Sequence, residues 1–226
     1  SAIAWLERGG VTVLVNIRGG GEYGKAWMEA SSRAKRQTGI DDFIAAGEWL
    51  VANKYTSPKH LGNTGGSGGG LLVASATMQR PDLYGASVPL TGVHDLLRFH
   101  LFGQGAGWQT AMGSIEVPEE YRALRATSPL HTVKPGTRYP PMLIVTGDHD
   151  VRVAPLHSYK LAAALQHAQA GDAPIVLRVE TQSGHGGGST GAQKVAQRTD
   201  IMAFFAAHLG LAFDRDPTAA APQTGR

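Results

Sequence analysis

Short apolar runs rich in β-branched residues alternate along this chain with longer segments whose apolar positions recur every three or four residues. A β-branched run of five to seven residues suits a strand buried on both faces. A three-to-four spacing marks one face of a helix. The strand-like runs lie at 11–17, 61–63, 86–90, 142–146 and 175–179, and the helix-like segments at 41–53, 69–78, 156–168 and 192–209. This alternation predicts an α/β fold: a doubly wound, mostly parallel sheet with helices on both faces. Ligands in such folds bind at the carboxyl edge of the sheet. Residues 95–140 fit no strand and are expected to form helices and loops over that edge.

No internal repeat or linker divides the chain, so one domain is expected over 1–211. Residues 212–226, rich in Ala, Pro, Thr and Asp, read as a disordered tail. The chain has no cysteine, which excludes a disulfide framework, a thiolate metal site and a cysteine nucleophile and leaves the compartment open. The net charge of +3 comes from scattered Lys and Arg. Its one dense basic stretch, Arg33 to Arg36, reads as a solvated face rather than a nucleic-acid contact. No apolar run reaches the ~20 residues of a membrane span. Glycine is in excess, 30 of 226 residues, or about 13% against the usual ~7%.

Much of that excess sits around one serine. Gly65-Gly66-Ser67-Gly68-Gly69 has the G-x-S-x-G spacing of a strand-to-helix turn that projects a nucleophilic hydroxyl. Small residues two positions either side let strand and helix close together, and the N–H of Gly68 then faces a developing oxyanion. A phosphate loop of the Walker type is excluded, because no Lys-Ser or Lys-Thr follows the glycines. A dinucleotide-binding loop is disfavoured, because no acidic residue ends a strand about 20 positions later.

A base and an acid are expected downstream, in the order Ser, acid, His. Gly147-Asp148-His149-Asp150 follows the strand at 142–146, and Gly184-His185-Gly186 follows that at 175–179. Spacing alone leaves Asp148 and Asp150 both open as the acid. His94, His100, His131 and His157 belong to no constellation and read as structural. No ligand-spaced cluster suggests a metal.

Local motifs then carry a resemblance. The stretches Asn16-Ile17-Arg18-Gly19-Gly20-Gly21-Glu22-Tyr23-Gly24, Tyr55-Thr56-Ser57-Pro58-Lys59, Gly65-Gly66-Ser67, Gln79-Arg80-Pro81-Asp82-Leu83, Asp148-His149-Asp150 with Arg152-Val153, and Gly184-His185-Gly186 resemble the catalytic domain of the prolyl oligopeptidase family. These are serine peptidases of the α/β-hydrolase fold. The resemblance runs from about residue 5 to residue 211. It implies Ser67 as nucleophile, His185 as base and Asp150 as acid. It implies Arg152 on a substrate carbonyl, Trp108 stacking on the proline ring, and Val93 and Val153 as apolar walls of the proline pocket. No cofactor or metal is implied.

Departures are visible. Gly68 replaces the family's asparagine, and Met112 replaces a tyrosine of the pocket wall. The family's second oxyanion donor is a tyrosine upstream of Trp5. Glycines 19–21 would mimic that role by sequence pattern alone, and the resemblance argues against them. The family's β-propeller, which filters substrates by size, has no counterpart in these residues. The expected activity is cleavage of short peptides on the carboxyl side of proline through an acyl-enzyme. The expected partners are proline-containing oligopeptides, the N-terminal segment and the propeller, with no nucleic acid and no membrane. Two other expectations stand beside it: an acyl-peptidase or esterase using the same triad, or a fragment inactive without its upstream segment.

Overall fold

A computed structural model describes residues 2–212. Four strands form one sheet in the order β1 (Gly62–Gly66), β2 (Ala86–Leu90), β3 (Met142–Gly147) and β4 (Ile175–Glu180), every neighbouring pair parallel. Five longer helices accompany them: α1 (Gln37–Ala52), α2 (Gly68–Gln79), α3 (Pro118–Thr127), α4 (Leu156–Ala168) and α5 (Gly191–Leu209). No helix among the described residues is long and apolar enough to cross a membrane.

The strand period of two builds the layers. Met142 and Ile144 of β3 pack with Ala74 and Met78 of α2 and with Leu161 and Leu165 of α4. Their neighbours Leu143 and Val145 face the other way, onto Phe205 and Leu209 of α5. The central strands β2 and β3 are therefore covered on both faces, as their apolar sequences require. α1 lies outside α2, with Ile40 against Ala76, Leu83 and Tyr84. α5 begins with a capping box: the Thr190 hydroxyl accepts from Gln193 N–H, and the Gln193 side chain accepts from Thr190 N–H.

The expected 95–140 region is made of short 3-10 turns, the short helices Gln109–Met112 and Pro129–Thr132, and α3. It lies between β2 and β3 and places Trp108 and Met112 against Val93, Phe99 and Val153. One expectation fails. Residues 11–17 form no strand, and Val11 and Leu14 are 78% and 91% exposed. A strand exists only by pairing, and none of the described strands lies beside this segment. The expected tail falls outside the described residues beyond 212.

The loop after β2 buries two histidines. His94 is fully enclosed with neither ring nitrogen hydrogen-bonded, and His157 of α4 accepts the Asp95 N–H at 3.1 Å. Burial pushes His94 down to about 3 and His157 to about 4. Unfolded imidazoles titrate near 6.5, so below that pH the unfolded chain binds protons that the folded chain refuses. Stability is therefore lost as pH falls from about 6.5 toward 4, by at most ~1.4 kcal/mol per pH unit for each histidine. Urea unfolding at pH 7 and pH 5 checks this, and His94→Leu should flatten the dependence over that interval.

Candidate active site

Parallel strands all end on the same side of a sheet, so the segments after β1, β2, β3 and β4 meet along one edge. Ser67 follows β1 directly. Its φ of 56° lies in the left-handed region, which costs a non-glycine residue strain. Two hydrogen bonds hold it there: Ser67 N–H donates to Leu90 O of β2 at 2.9 Å, and Ser67 O accepts Leu71 N–H at 3.1 Å. The turn is this tight because Gly65 lies against α2. A Cβ on Gly65 would come within 2.5 Å of Gly69 O. A Cβ on Gly69 would meet nothing, so of the two flanking glycines only Gly65 is required by contact. Gly68 is the first residue of α2, where a helix leaves its N–H groups without helical partners.

The loops after β3 and β4 come together in the same way. Asp150 follows β3, and its side chain is completely buried. Its Oδ1 accepts from the N–H groups of Arg152 and Val153 at 2.9 and 2.8 Å. Its Oδ2 lies 2.7 Å from His185 Nδ1. A carboxylate can only accept, so His185 carries its proton on Nδ1, and in the neutral ring Nε2 is left free to accept. Asp148 is engaged elsewhere, with His149 Nδ1 at 2.7 Å and Ser183 N–H at 3.3 Å. The close approach of the two loops depends on Gly147, whose added Cβ would lie 2.3 Å from Ser183 O.

Ser67 has no hydrogen-bond partner for its hydroxyl among the described residues, so the Asp150–His185 pair is formed and the His185–Ser67 contact is not. Among the described residues no group of three or more His, Asp or Glu is arranged to hold a metal ion.

A cleft of about 280 Å³ opens at Ser67, lined also by Gly68, Val93, Trp108, Met112 and Arg152. Every one of these was singled out from the sequence. Val153 sits just behind, buried in the cluster that holds Val93. Leu71 and Arg36 also line the cleft and were missed. Leu71 carries no signal beyond its helical spacing. Arg36 was read with its basic neighbours as a solvated face. The structure overturns that reading for Arg36 alone, since Arg33 stays exposed. Arg33 donates to Thr110 O at 2.9 Å and pairs with Glu120 at 3.5 Å, while Arg36 turns inward with its Nε enclosed.

The close packing at Gly65 generates a prediction. Gly65→Ala forces backbone apart and should cost about 1–3 kcal/mol, the usual range for overpacking. Gly66→Ala, whose Cβ meets nothing, should stay within about 0.5 kcal/mol of the parent. Denaturant midpoints of the two variants read the difference directly.

Comparison with known proteins gives a consistent set of relatives. The family described as "Prolyl oligopeptidase family" matches residues 1–212. The prolyl endopeptidase of Elizabethkingia meningoseptica is 44% identical over 208 residues, which is 92% of this chain and 30% of that protein. Among solved structures, one from a study of two prolyl endopeptidases superposes with a TM-score of 0.89 at 46% identity, covering 92% of this chain and 31% of that one. Prolyl oligopeptidase B of Galerina marginata, bound to a 35mer hydrolysis and macrocyclization substrate, matches with a TM-score of 0.82 at 38% identity over 87% of this chain and 28% of that one. The chain thus spans about 30% of the length of the curated relatives it matches. With its solved relatives the chain shares an α/β-hydrolase fold.

Proposed function

The chain belongs to the prolyl oligopeptidase family, and from that membership we propose that it is the catalytic part of a serine peptidase that cleaves short peptides after proline. The observation that carries the reading is the Asp150–His185 hydrogen bond at the sheet edge where Ser67 stands. In the proposed reaction Ser67 Oγ attacks the prolyl carbonyl, and its proton passes to His185 Nε2. The oxyanion faces the Gly68 N–H, a contact of a kind worth ~3 kcal/mol. The buried Asp150 carboxylate stabilises the imidazolium, which then protonates the leaving amine. Water releases the acyl group by the same route. No step needs a cofactor.

Trp108, Val93 and Met112 offer an apolar wall beside the serine. A flat indole suits a rigid pyrrolidine ring, and the Arg152 guanidinium suits a peptide carbonyl. That a related enzyme is described with a bound peptide substrate supports peptides as the substrate class. An acyl-peptidase or esterase would use the same triad without needing the indole. The test is a matched peptide series with Pro or Ala before the scissile bond. Proline should be preferred, and Trp108→Ala should reduce that preference by roughly tenfold, the scale of one aromatic contact. Equal cleavage of both peptides by the parent, or an intact preference in the variant, contradicts the assignment.

We take the catalytic domain to be residues 1–211. The exposed apolar residues Val11, Val13 and Leu14 support a partner for this stretch. The proposed partner is a strand from the part of the longer relatives that this chain does not match. The relatives' greater length leaves room for a propeller as well.

A further inference from the structure

A second cavity of about 160 Å³ adjoins the cleft, and the two share Gly68, Leu71 and Arg36. No Asp or Glu lines either one. Arg18, on the wall of the second cavity, is already engaged: its Nε and Nη2 reach the Asp42 carboxylate at 2.8 and 2.5 Å. Arg36 is not. Among the described residues it has no ion pair and no side-chain hydrogen bond, and its Nε is sealed from solvent without a partner. Removal from water pushes the group down to about 10, so it is still charged at neutral pH.

Its backbone is fixed on both sides. Arg36 N–H donates to Arg33 O at 3.2 Å, and Arg36 O accepts the Ser31 hydroxyl at 3.2 Å. A half-buried cation with one nitrogen sealed from water and no anion beside it is costly. Here it is held beside the first turn of a twelve-residue helix, α2, whose N-terminal N–H groups favour negative charge at the same place. The Leu71 side of the wall excludes water from part of the site.

We propose that Arg36 forms an anion subsite beside Ser67 that receives a carboxylate of the substrate peptide. The proposal rests on the peptidase reading for the identity of the ligand. The guanidinium fork matches a carboxylate with two hydrogen bonds. The carboxylate comes from an acidic side chain near the scissile bond or from the C-terminus of a short peptide. Arg36 is thus a specificity residue, distinct from Gly68, which serves the reacting oxygen.

Binding can be read without catalysis. Calorimetry on the full chain carrying Ser67→Ala would compare prolyl peptides bearing Glu with isosteres bearing Gln, placed before or after the proline. A second pair compares free-acid with amidated C-termini. At least one acidic member should bind about tenfold tighter than its neutral isostere, the scale of one charge-assisted hydrogen bond, and the pair showing it names the source. R36M and R36Q should bring that ratio to about one, and R36K, which keeps charge but loses the fork, should leave part of it. Circular dichroism melts establish that each variant is folded. Equal binding of every acidic and neutral pair by the parent overturns the proposal. So does a preference that persists in a folded R36M or R36Q, or a neutral variant that weakens both members of a pair equally. Failure of Ser67 to act as a nucleophile would defeat the peptidase reading, yet leave a carboxylate preference at Arg36 measurable.

Discussion

A parallel sheet brings the carboxyl ends of all its strands to one edge, and the arrangement of this molecule depends on that constraint. Ser67, Val93, Asp150 and His185 are scattered over more than a hundred residues of sequence. Each follows a different strand, and each therefore reaches the same edge. The ladders are continuous in register from Gly62 opposite Ala86 to Gly147 opposite Glu180. Alternate residues of β3 bind α2 and α4 on one face and α5 on the other. The core thus fixes the height at which every loop begins.

On that edge the charges are unevenly placed. The single buried carboxylate of the pair, Asp150, is fully satisfied by two backbone N–H groups and one imidazole. The cleft at Ser67 holds two arginines, the start of a helix and no acid. A negative charge placed there would meet donors already in position, with little reorganisation left to make. The strained φ of Ser67 belongs to the same design: the strand and helix that enforce it also present the Gly68 N–H.

The elements with a clear period were legible in the sequence. β2 and α4 have the bounds that their apolar patterns indicate, and α1, α2 and α5 differ by a few residues at their ends. Residues 11–17 had an equally good strand pattern and formed none, because pairing is a property of a neighbour and not of the run itself. The choice of Asp150 over Asp148 also lay beyond spacing. It came from the family resemblance, and the contact with His185 follows Asp150. Gly65 and Gly69 look alike in the motif, but only one meets backbone. Arg36 was hidden for a different reason. Burial is decided by the packing of distant segments, and a charge run carries no mark of which member turns inward.

The central claim is that Ser67 is a nucleophile served by His185 and Asp150. Its most direct measurement is the rate of covalent labelling by a fluorophosphonate, with the adduct located by peptide mass analysis. The account predicts one adduct, on Ser67, none in Ser67→Ala, and a labelling rate lowered by orders of magnitude in His185→Gln. An adduct on another residue, or a rate in folded His185→Gln equal to that of the parent, would contradict it.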